Sequence, residues 1–163
     1  MPQQYVQKYV IVYFVDIKAT PISFSASEWP LHITLLANFQ VEDIDSFKSQ
    51  LKEYSEQHAA FTVQANGEAL FGPQQNVRVS LVEPNDAIIA THKDLLSIAS
   101  GHGAILDELG FAGTGYRPHA TIQFNNKLQD QEEVAINSFS LVDMFPDQDH
   151  MRRRIIQTYS LRD

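Results

Sequence analysis

A four-residue pattern occurs twice in this chain, and both copies lie in short segments whose composition is typical of β-strands. The first copy is His32-Ile33-Thr34-Leu35 and the second is His119-Ala120-Thr121-Ile122. Because successive side chains of a strand point to opposite faces, each histidine shares a face with the threonine two residues later. The apolar residues of each copy point the other way, toward a core. The pattern therefore predicts two half-buried strands, each presenting an imidazole and a hydroxyl on one side.

The positions of the two copies support a common role. One copy alone fits an ordinary half-buried strand whose polar face carries a histidine and a threonine. Here each copy follows an apolar strand and an intervening segment, with Tyr9 to Val15 preceding the first copy and Val77 to Val82 preceding the second. The β-branched and aromatic residues of Tyr9 to Val15 are typical of a strand buried on both faces. The two halves of the chain therefore repeat one outline.

Apolar residues at helical spacing predict two helices. The first extends from Asp43 to His58, with Asp43 or Asp45 as its N-cap. The second contains Ile88 to Ala99 and breaks near Gly101, beyond which its apolar stripe continues to Gly110. Its histidines, His92 and His102, lack the spacing of helical zinc ligands, and we interpret both as packing or surface residues.

The other segments are predicted to be strands and one long loop. Asp16 to Pro30 has the composition of a loop. Phe61 to Phe71 fits one or two strands, with a turn or bulge at Asn66-Gly67. Val134 to Met144 and Arg154 to Leu161 form a predicted terminal strand pair.

Composition limits the class of protein. A length of 163 residues with 44% hydrophobic and 20% charged residues suits one globular domain. No apolar run approaches the roughly 20 residues of a membrane span, and the N-terminus lacks a secretory signal, so we expect a cytoplasmic monomer without membrane association. The absence of cysteine excludes disulfides and thiolate chemistry. A formal charge of −8 disfavours broad binding to nucleic-acid backbones but allows a small phosphorylated ligand in a locally positive cleft.

The paired motifs at His32-x-Thr34 and His119-x-Thr121 resemble those of the two-histidine (2H) phosphoesterases. That family includes 2′-5′ RNA ligase-like proteins and 2′,3′-cyclic nucleotide phosphodiesterases, and its two motifs face each other across a cleft. The resemblance covers nearly the whole chain. It implies an α+β fold of two pseudo-symmetric lobes, each an antiparallel sheet with flanking helices, around a central cleft. Residues 1–163 would then form a single bilobal domain.

The same resemblance implies an activity, and the residue types agree with it. Histidine, with an unperturbed pKa of about 6.5, exchanges protons near neutrality. His32 and His119 would be the acid–base pair that opens a 2′,3′-cyclic phosphate of a nucleotide or RNA end, while Thr34 and Thr121 would donate hydrogen bonds to the phosphate oxygens. This chemistry requires no metal and no cofactor. The motifs leave open which histidine is the base, and whether the chain acts on 2′-5′ RNA linkages or binds a nucleotide without turnover.

Several aromatic residues and one arginine near the motifs are candidates for substrate binding. Aromatic faces stack on bases of any sequence, although some of these side chains must belong to the core. The candidate stacking residues are Tyr13, Phe39, Tyr116 and Phe124. Arg117, two residues before His119, shares its predicted face and would approach the phosphate.

A run of three arginines, Arg152 to Arg154, forms the densest basic patch. Its simpler interpretation is an exposed edge strand that charge protects against pairing with another chain. The alternative is that one of the three turns inward to neutralise a phosphate.

Overall fold

The computed structural model describes residues 5–107, 112–123 and 126–163, so the predicted stacking residue Phe124 lies outside the described residues. Ten strands and two α-helices are assigned in these ranges. In chain order they are β1 (Tyr9–Phe14), β2 (Ser23–Ser25), β3 (His32–Gln40), α1 (Ile44–Gln57), β4 (Phe61–Phe71), β5 (Val77–Val82), α2 (Asp86–Gly101), β6 (Ile105–Leu106), β7 (His119–Thr121), β8 (Glu133–Ile136), β9 (Ser138–Asp143) and β10 (Arg152–Ser160).

The strands form two antiparallel sheets, one for each lobe. The first sheet has the order β2-β10-β9-β1-β3-β6, and the second has the order β7-β5-β4-β8. The fold is therefore α+β, as predicted. The two His-x-Thr strands, β3 and β7, belong to different sheets and lie next to each other where the sheets meet.

Each His-x-Thr strand is held by the apolar strand that precedes it in its half of the chain. β1 pairs with β3 and places Phe14 beside His32 and Val12 beside Thr34. β5 pairs with β7 in the same way, which confirms that the two halves share one outline. The equivalent pairs in the second sheet are Leu81 with His119 and Val79 with Thr121.

The core lies between the sheets and the helices. β1 is buried along its whole length, with alternate residues in two clusters on opposite faces of its sheet. The helix α1 begins as predicted, since the Asp43 carboxylate accepts hydrogen bonds from the amides of Asp45 and Ser46. It buries Phe47 and Leu51, and burial of each such side chain contributes about 1.5–3 kcal/mol. None of the helices in the described ranges is long and apolar enough to cross a membrane.

Three predictions on secondary structure were wrong in detail. Ile105–Leu106 does not extend the helical stripe but pairs with the end of β3, because Gly103 has a φ of 73° and turns the chain back toward that strand. The run from Val134 to Met144 is two strands, of which β8 pairs with β4 and β9 pairs with β10. The predicted loop before the first motif contains a 3-10 turn at Ile17–Ala19 and the short strand β2.

The strand that carries the three arginines is not an edge strand. β10 is paired on one side with β9 and on the other with β2, so it lies inside the sheet. The favoured interpretation of Arg152 to Arg154 as an exposed edge is therefore wrong. β2, formed by the segment predicted as loop, covers that edge instead.

Candidate functional site

The two motif histidines are held in the same way. The Nδ1 atom of His32 lies 2.8 Å from the carbonyl oxygen of Pro30, and the Nδ1 atom of His119 lies 2.7 Å from the carbonyl oxygen of Arg117. In each motif the partner is the residue two positions earlier. The local backbone therefore orients both imidazoles, without help from a distant side chain.

These hydrogen bonds also determine the tautomer. A carbonyl oxygen only accepts, so the bonded Nδ1 of each ring must carry the hydrogen. The neutral form of each ring then has its lone pair on Nε2. Neither Nε2 has a hydrogen-bond partner within the described part of the chain. Both rings can therefore accept a proton at Nε2 when neutral and donate it when charged.

The surroundings of His32 are aromatic. Its ring centroid lies 4.7 Å from that of Trp29 and 6.1 Å from that of Phe14. Burial lowers the pKa of His32 to about 4, opposed by the hydrogen bond to Pro30 and reinforced by the charge of His119. The effect of the His119 charge on His32 means that the two imidazoles are within electrostatic reach of each other.

His119 lies in a less apolar setting. Phe71 contacts its ring edge-on at a centroid distance of 4.6 Å, and the Arg117 guanidinium carbon lies 4.7 Å from the centroid of the same phenyl ring. Burial lowers the pKa of His119, the hydrogen bond to the Arg117 carbonyl raises it, and the Arg117 charge lowers it.

A cavity of about 560 Å³ opens beside the motifs. We call it the first cavity. Thr34 and His119 contribute to its wall from the two sheets, together with Phe71, Tyr116 and Arg117. A pocket of this size, mainly apolar with a few polar groups, is typical of small-molecule sites.

The two threonines have free hydroxyls. Thr34 and Thr121 are both half-buried, and neither side chain has a hydrogen-bond partner among residues 5–107, 112–123 and 126–163. By strand alternation, each lies on the same face as its histidine. The structure thus brings His119 and Thr34 to one cavity, with His32 and Thr121 as their neighbours on the two strands.

A third histidine connects the two motifs. His92 of α2 is 1% exposed. Its Nδ1 donates to the carbonyl of Leu35 at 2.7 Å, and its Nε2 accepts from the amide of Gly113 at 2.8 Å. Tyr116 stacks on its ring at 4.0 Å and donates from its hydroxyl to the carbonyl of Thr34. His92 therefore links the first motif strand to the segment that leads into the second.

We expect replacement of His92 by Phe to reduce the free energy of unfolding at pH 8 by about 1–3 kcal/mol, because the amide of Gly113 and the carbonyl of Leu35 lose their partner. Burial lowers the pKa of His92, so the folded state holds it neutral. The contribution of the neutral His92 ring to the free energy of unfolding is complete above about pH 6.5, the pKa of histidine in the unfolded chain. It is lost as the pH falls below that value, because only the unfolded state then takes up the proton.

The difference between wild type and the His92→Phe variant should consequently shrink between pH 8 and pH 5. Chemical denaturation at several pH values measures it, and His150→Phe is a matched control because His150 is exposed. A difference that is absent at pH 8, or that does not change with pH, would contradict the role given to the buried imidazole.

Two of the predicted stacking residues lie in the core. Phe39 is fully buried against Tyr9 and Phe47, and Tyr13 is 7% exposed. A base needs an exposed ring face, and neither residue offers one in this structure. Tyr116 does line the first cavity, but His92 covers one face of its ring.

The three arginines of β10 have different surroundings. Arg153 turns inward, where it donates to three backbone carbonyls and approaches the ring of Trp29. Arg154 pairs with Asp147. Arg152 is exposed and donates to the Ser23 hydroxyl at 3.0 Å.

Phe71 and His92 line the first cavity, and sequence patterns did not single out either one for the site. Phe71 ends a long strand, and nothing in the sequence distinguishes it from the other aromatic strand residues. His92 follows the apolar spacing of α2, so periodicity predicted burial but not the two hydrogen bonds of its ring.

Comparisons with known proteins agree on the family and the fold. The family model described as the 2′-5′ RNA ligase superfamily matches residues 16–143. Similar solved structures include a phosphoesterase (14% identity, TM-score 0.61, 96% of this chain and 99% of that one). Escherichia coli LigT complexed with NADP+ is also similar, with 14% identity and a TM-score of 0.60 over 96% of this chain and 98% of LigT. The complex of LigT with 3′-AMP has 15% identity and a TM-score of 0.60 over 96% of this chain and 99% of LigT. No curated protein matches the chain in a sequence comparison.

Proposed function

Because this chain belongs to the 2′-5′ RNA ligase superfamily, a group of phosphoesterase- and ligase-like proteins, we propose that it opens 2′,3′-cyclic phosphates of nucleotides or RNA ends without a metal ion. The observation that carries the proposal is the matched pair of imidazoles. His32 and His119 stand on adjacent strands of different sheets, each with Nδ1 fixed by a carbonyl and Nε2 free. Two such groups on either side of a phosphate divide the proton transfers of a displacement at phosphorus.

In the proposed reaction His32 is the base, because burial lowers its pKa to about 4 and holds the ring neutral. Neutral His32 takes a proton from water at Nε2 while the water oxygen bonds to phosphorus. The bond between phosphorus and one ribose oxygen breaks, and that oxygen takes a proton from Nε2 of charged His119. The product is a ribose phosphate monoester with one free hydroxyl. One water molecule is consumed, and the two histidines end with their protonation states exchanged.

Three further groups stabilise charge in this scheme. The free hydroxyls of Thr34 and Thr121 donate to the non-bridging phosphate oxygens as negative charge develops. The guanidinium of Arg117, on the wall of the first cavity beside His119, attracts the anionic substrate. The proposal treats residues 1–163 as one bilobal unit, because each sheet contributes one of the two motifs.

The solved relatives are consistent with a nucleotide ligand. LigT was crystallised with 3′-AMP, ATP and phosphate as well as NADP+. At 14–15% identity these structures carry the fold to this chain, and the nucleotide ligand is part of our proposal.

The test is phosphorus NMR with the four 2′,3′-cyclic mononucleotides in the presence of EDTA. We expect the cyclic phosphate signal to convert to that of a monoester, at a rate that EDTA does not change. Loss of turnover with EDTA and recovery with zinc or magnesium would contradict the metal-independent mechanism. Binding without turnover of any of the four would instead favour a nucleotide-binding module.

The same assay yields a pH prediction. The reaction needs His32 neutral and His119 charged in the free protein, and kcat/KM follows those two pKa values. The pKa of His32 is about 4, and that of His119 is lowered from 6.5 by burial. We therefore expect a bell-shaped profile with its optimum at acidic pH, falling about tenfold per pH unit above the pKa of His119. An optimum above pH 7 would contradict the assignment.

A further inference from the structure

Phe71 is the last residue of β4, at the tip of the β4–β5 hairpin, yet its ring contacts His119. In the second sheet Phe71 pairs with Val77 at the start of β5, whereas His119 pairs with Leu81, four positions further along the same strand. In a flat sheet those four positions correspond to roughly 13 Å along the strand. The two ring centroids are nevertheless 4.6 Å apart. The end of the hairpin therefore curves toward the second motif.

The strand pairings place Phe71 on the sheet face that carries His119. Residues directly opposite each other in a sheet share a face, and so do residues two apart in one strand. Phe71 therefore shares the face of Val77. Val77 shares the face of Leu81, which lies opposite His119. Gly72 then turns the chain with a φ of 94°, and a Cβ atom at Gly72 would lie only 3.3 Å from a methyl carbon of Val77.

The same ring orients the side chain of Arg117. The Arg117 guanidinium carbon lies 4.7 Å from the centroid of the Phe71 ring, which is within the range of a cation–π interaction. Among the residues that the structure describes, the Arg117 side chain has no hydrogen bond and no ion pair. The contact with Phe71 is therefore the interaction that fixes the position of this charge.

Arg117 has space on two sides. It lies on the wall of the first cavity and also on the wall of a smaller cavity of about 280 Å³. The wall of the smaller cavity includes Glu83, whose carboxylate would attract the guanidinium away from His119. Of these two cavities, Phe71 lines only the first. The cation–π contact consequently favours the orientation in which the charge lies beside His119.

We infer that Phe71 is a positioning residue: its ring holds the Arg117 guanidinium beside His119, where it pairs with a substrate phosphate. The inference rests on the proposed function, which places the phosphate between the motifs. Leucine or methionine at position 71 would fill part of the same space without a π-face and would release the guanidinium. Tyrosine would keep the ring and the contact.

Calorimetry with inorganic phosphate measures this role without turnover and without a base. Phe71→Leu should weaken phosphate binding about two- to fivefold, the usual size of a cation–π contact, and Phe71→Met should do the same. Phe71→Tyr should bind within twofold of wild type. In the Arg117→Gln background, Phe71→Leu should have no further effect, because the ring acts through Arg117. Phe61→Leu is the matched control, since Phe61 is a half-buried residue of β4 that does not line the first cavity.

The pKa of His119 is a second readout, which a purely structural role of Phe71 acting apart from Arg117 would not link to that arginine. Burial and the charge of Arg117 both lower this pKa. We expect it to rise in Phe71→Leu and in Arg117→Gln, and the double variant to lie close to Arg117→Gln. NMR titration of the histidine rings measures it, and the spectrum of His119→Gln identifies the signal.

The outcomes separate this inference from the proposed function. Weaker binding of 3′-AMP with unchanged binding of phosphate would assign the Phe71 ring to the base and overturn the inference. An equal effect of Phe71→Leu with and without Arg117, or no phosphate binding by wild type, would also overturn it. If wild type does not turn over cyclic mononucleotides but the phosphate and pKa results are as expected, the proposed reaction is wrong and the role of Phe71 stands.

Discussion

Replacing His119 by Gln is expected to lower kcat/KM for a 2′,3′-cyclic nucleotide by about 10²–10⁴-fold, the usual contribution of a general acid or base. Glutamine approximates the size of the imidazole but cannot donate a proton to a departing ribose oxygen. Replacing His32 by Gln should cost as much, because the glutamine amide cannot take a proton from the attacking water. Both losses should appear mainly in kcat.

The pH profile of the residual activity tests the assigned roles more sharply than the rate itself. In His119→Gln the fall above the pKa of His119 should disappear, because the group that must be charged has been removed. In His32→Gln the fall on the acidic side should disappear instead. His102→Gln is a suitable control, since His102 bonds to Gln50 and does not line the first cavity. Full activity in either motif variant, with intact thermal unfolding, would exclude that histidine from the mechanism.

The second large effect is expected at the threonines. Thr→Val at position 34 or 121 should lower kcat/KM by roughly 10- to 150-fold, which corresponds to the loss of a hydrogen bond to a charged group worth about 1.5–3 kcal/mol. Thr→Ser keeps the donor and should cost much less. Stability should change little, because neither hydroxyl bonds to another described residue and valine is a good strand former.

Thr62→Val is the matched control for the threonine series, because Thr62 is an exposed strand residue of β4. The measurement is kcat/KM together with thermal unfolding for the Val and Ser variants at both motif positions. If both Val variants matched wild type, the two threonines would be ordinary strand residues, and the charge on the phosphate would have to be stabilised by other groups.

Local patterns in the sequence were sufficient for the elements that hold the motifs. The β-branched and aromatic run of β1 predicted a strand buried on both faces, and the run Val77–Val82 predicted β5 to the residue. The cap at Asp43 and the apolar spacing that follows it predicted α1. These features depend on neighbours along the chain, which is why they can be read without the tertiary structure. The alternation in the two motifs also predicted which side chains share a face.

The choice between cavity and core depended on tertiary structure. Phe39 and Phe71 are both aromatic strand residues, yet Phe39 packs under α1 beside Phe47 while Phe71 reaches the ring of His119. Strand alternation predicts two faces but not which of them a second sheet or a helix will cover. The same is true of His92, whose spacing predicted burial in α2 and whose partners come from β3 and from the segment before β7.

What the sequence by itself determined is therefore the identity of the reactive groups and their local orientation: two His-x-Thr strands, each with its histidine and threonine on one face. What only the tertiary structure decided is that each motif strand pairs with the apolar strand before it and that β3 and β7 meet across two sheets, with the first cavity beside the motifs. The physical reason is the distance along the chain over which each kind of interaction acts. Alternation and capping act over a few residues, whereas the meeting of residues 32 and 119 depends on how two complete sheets pack on a shared core.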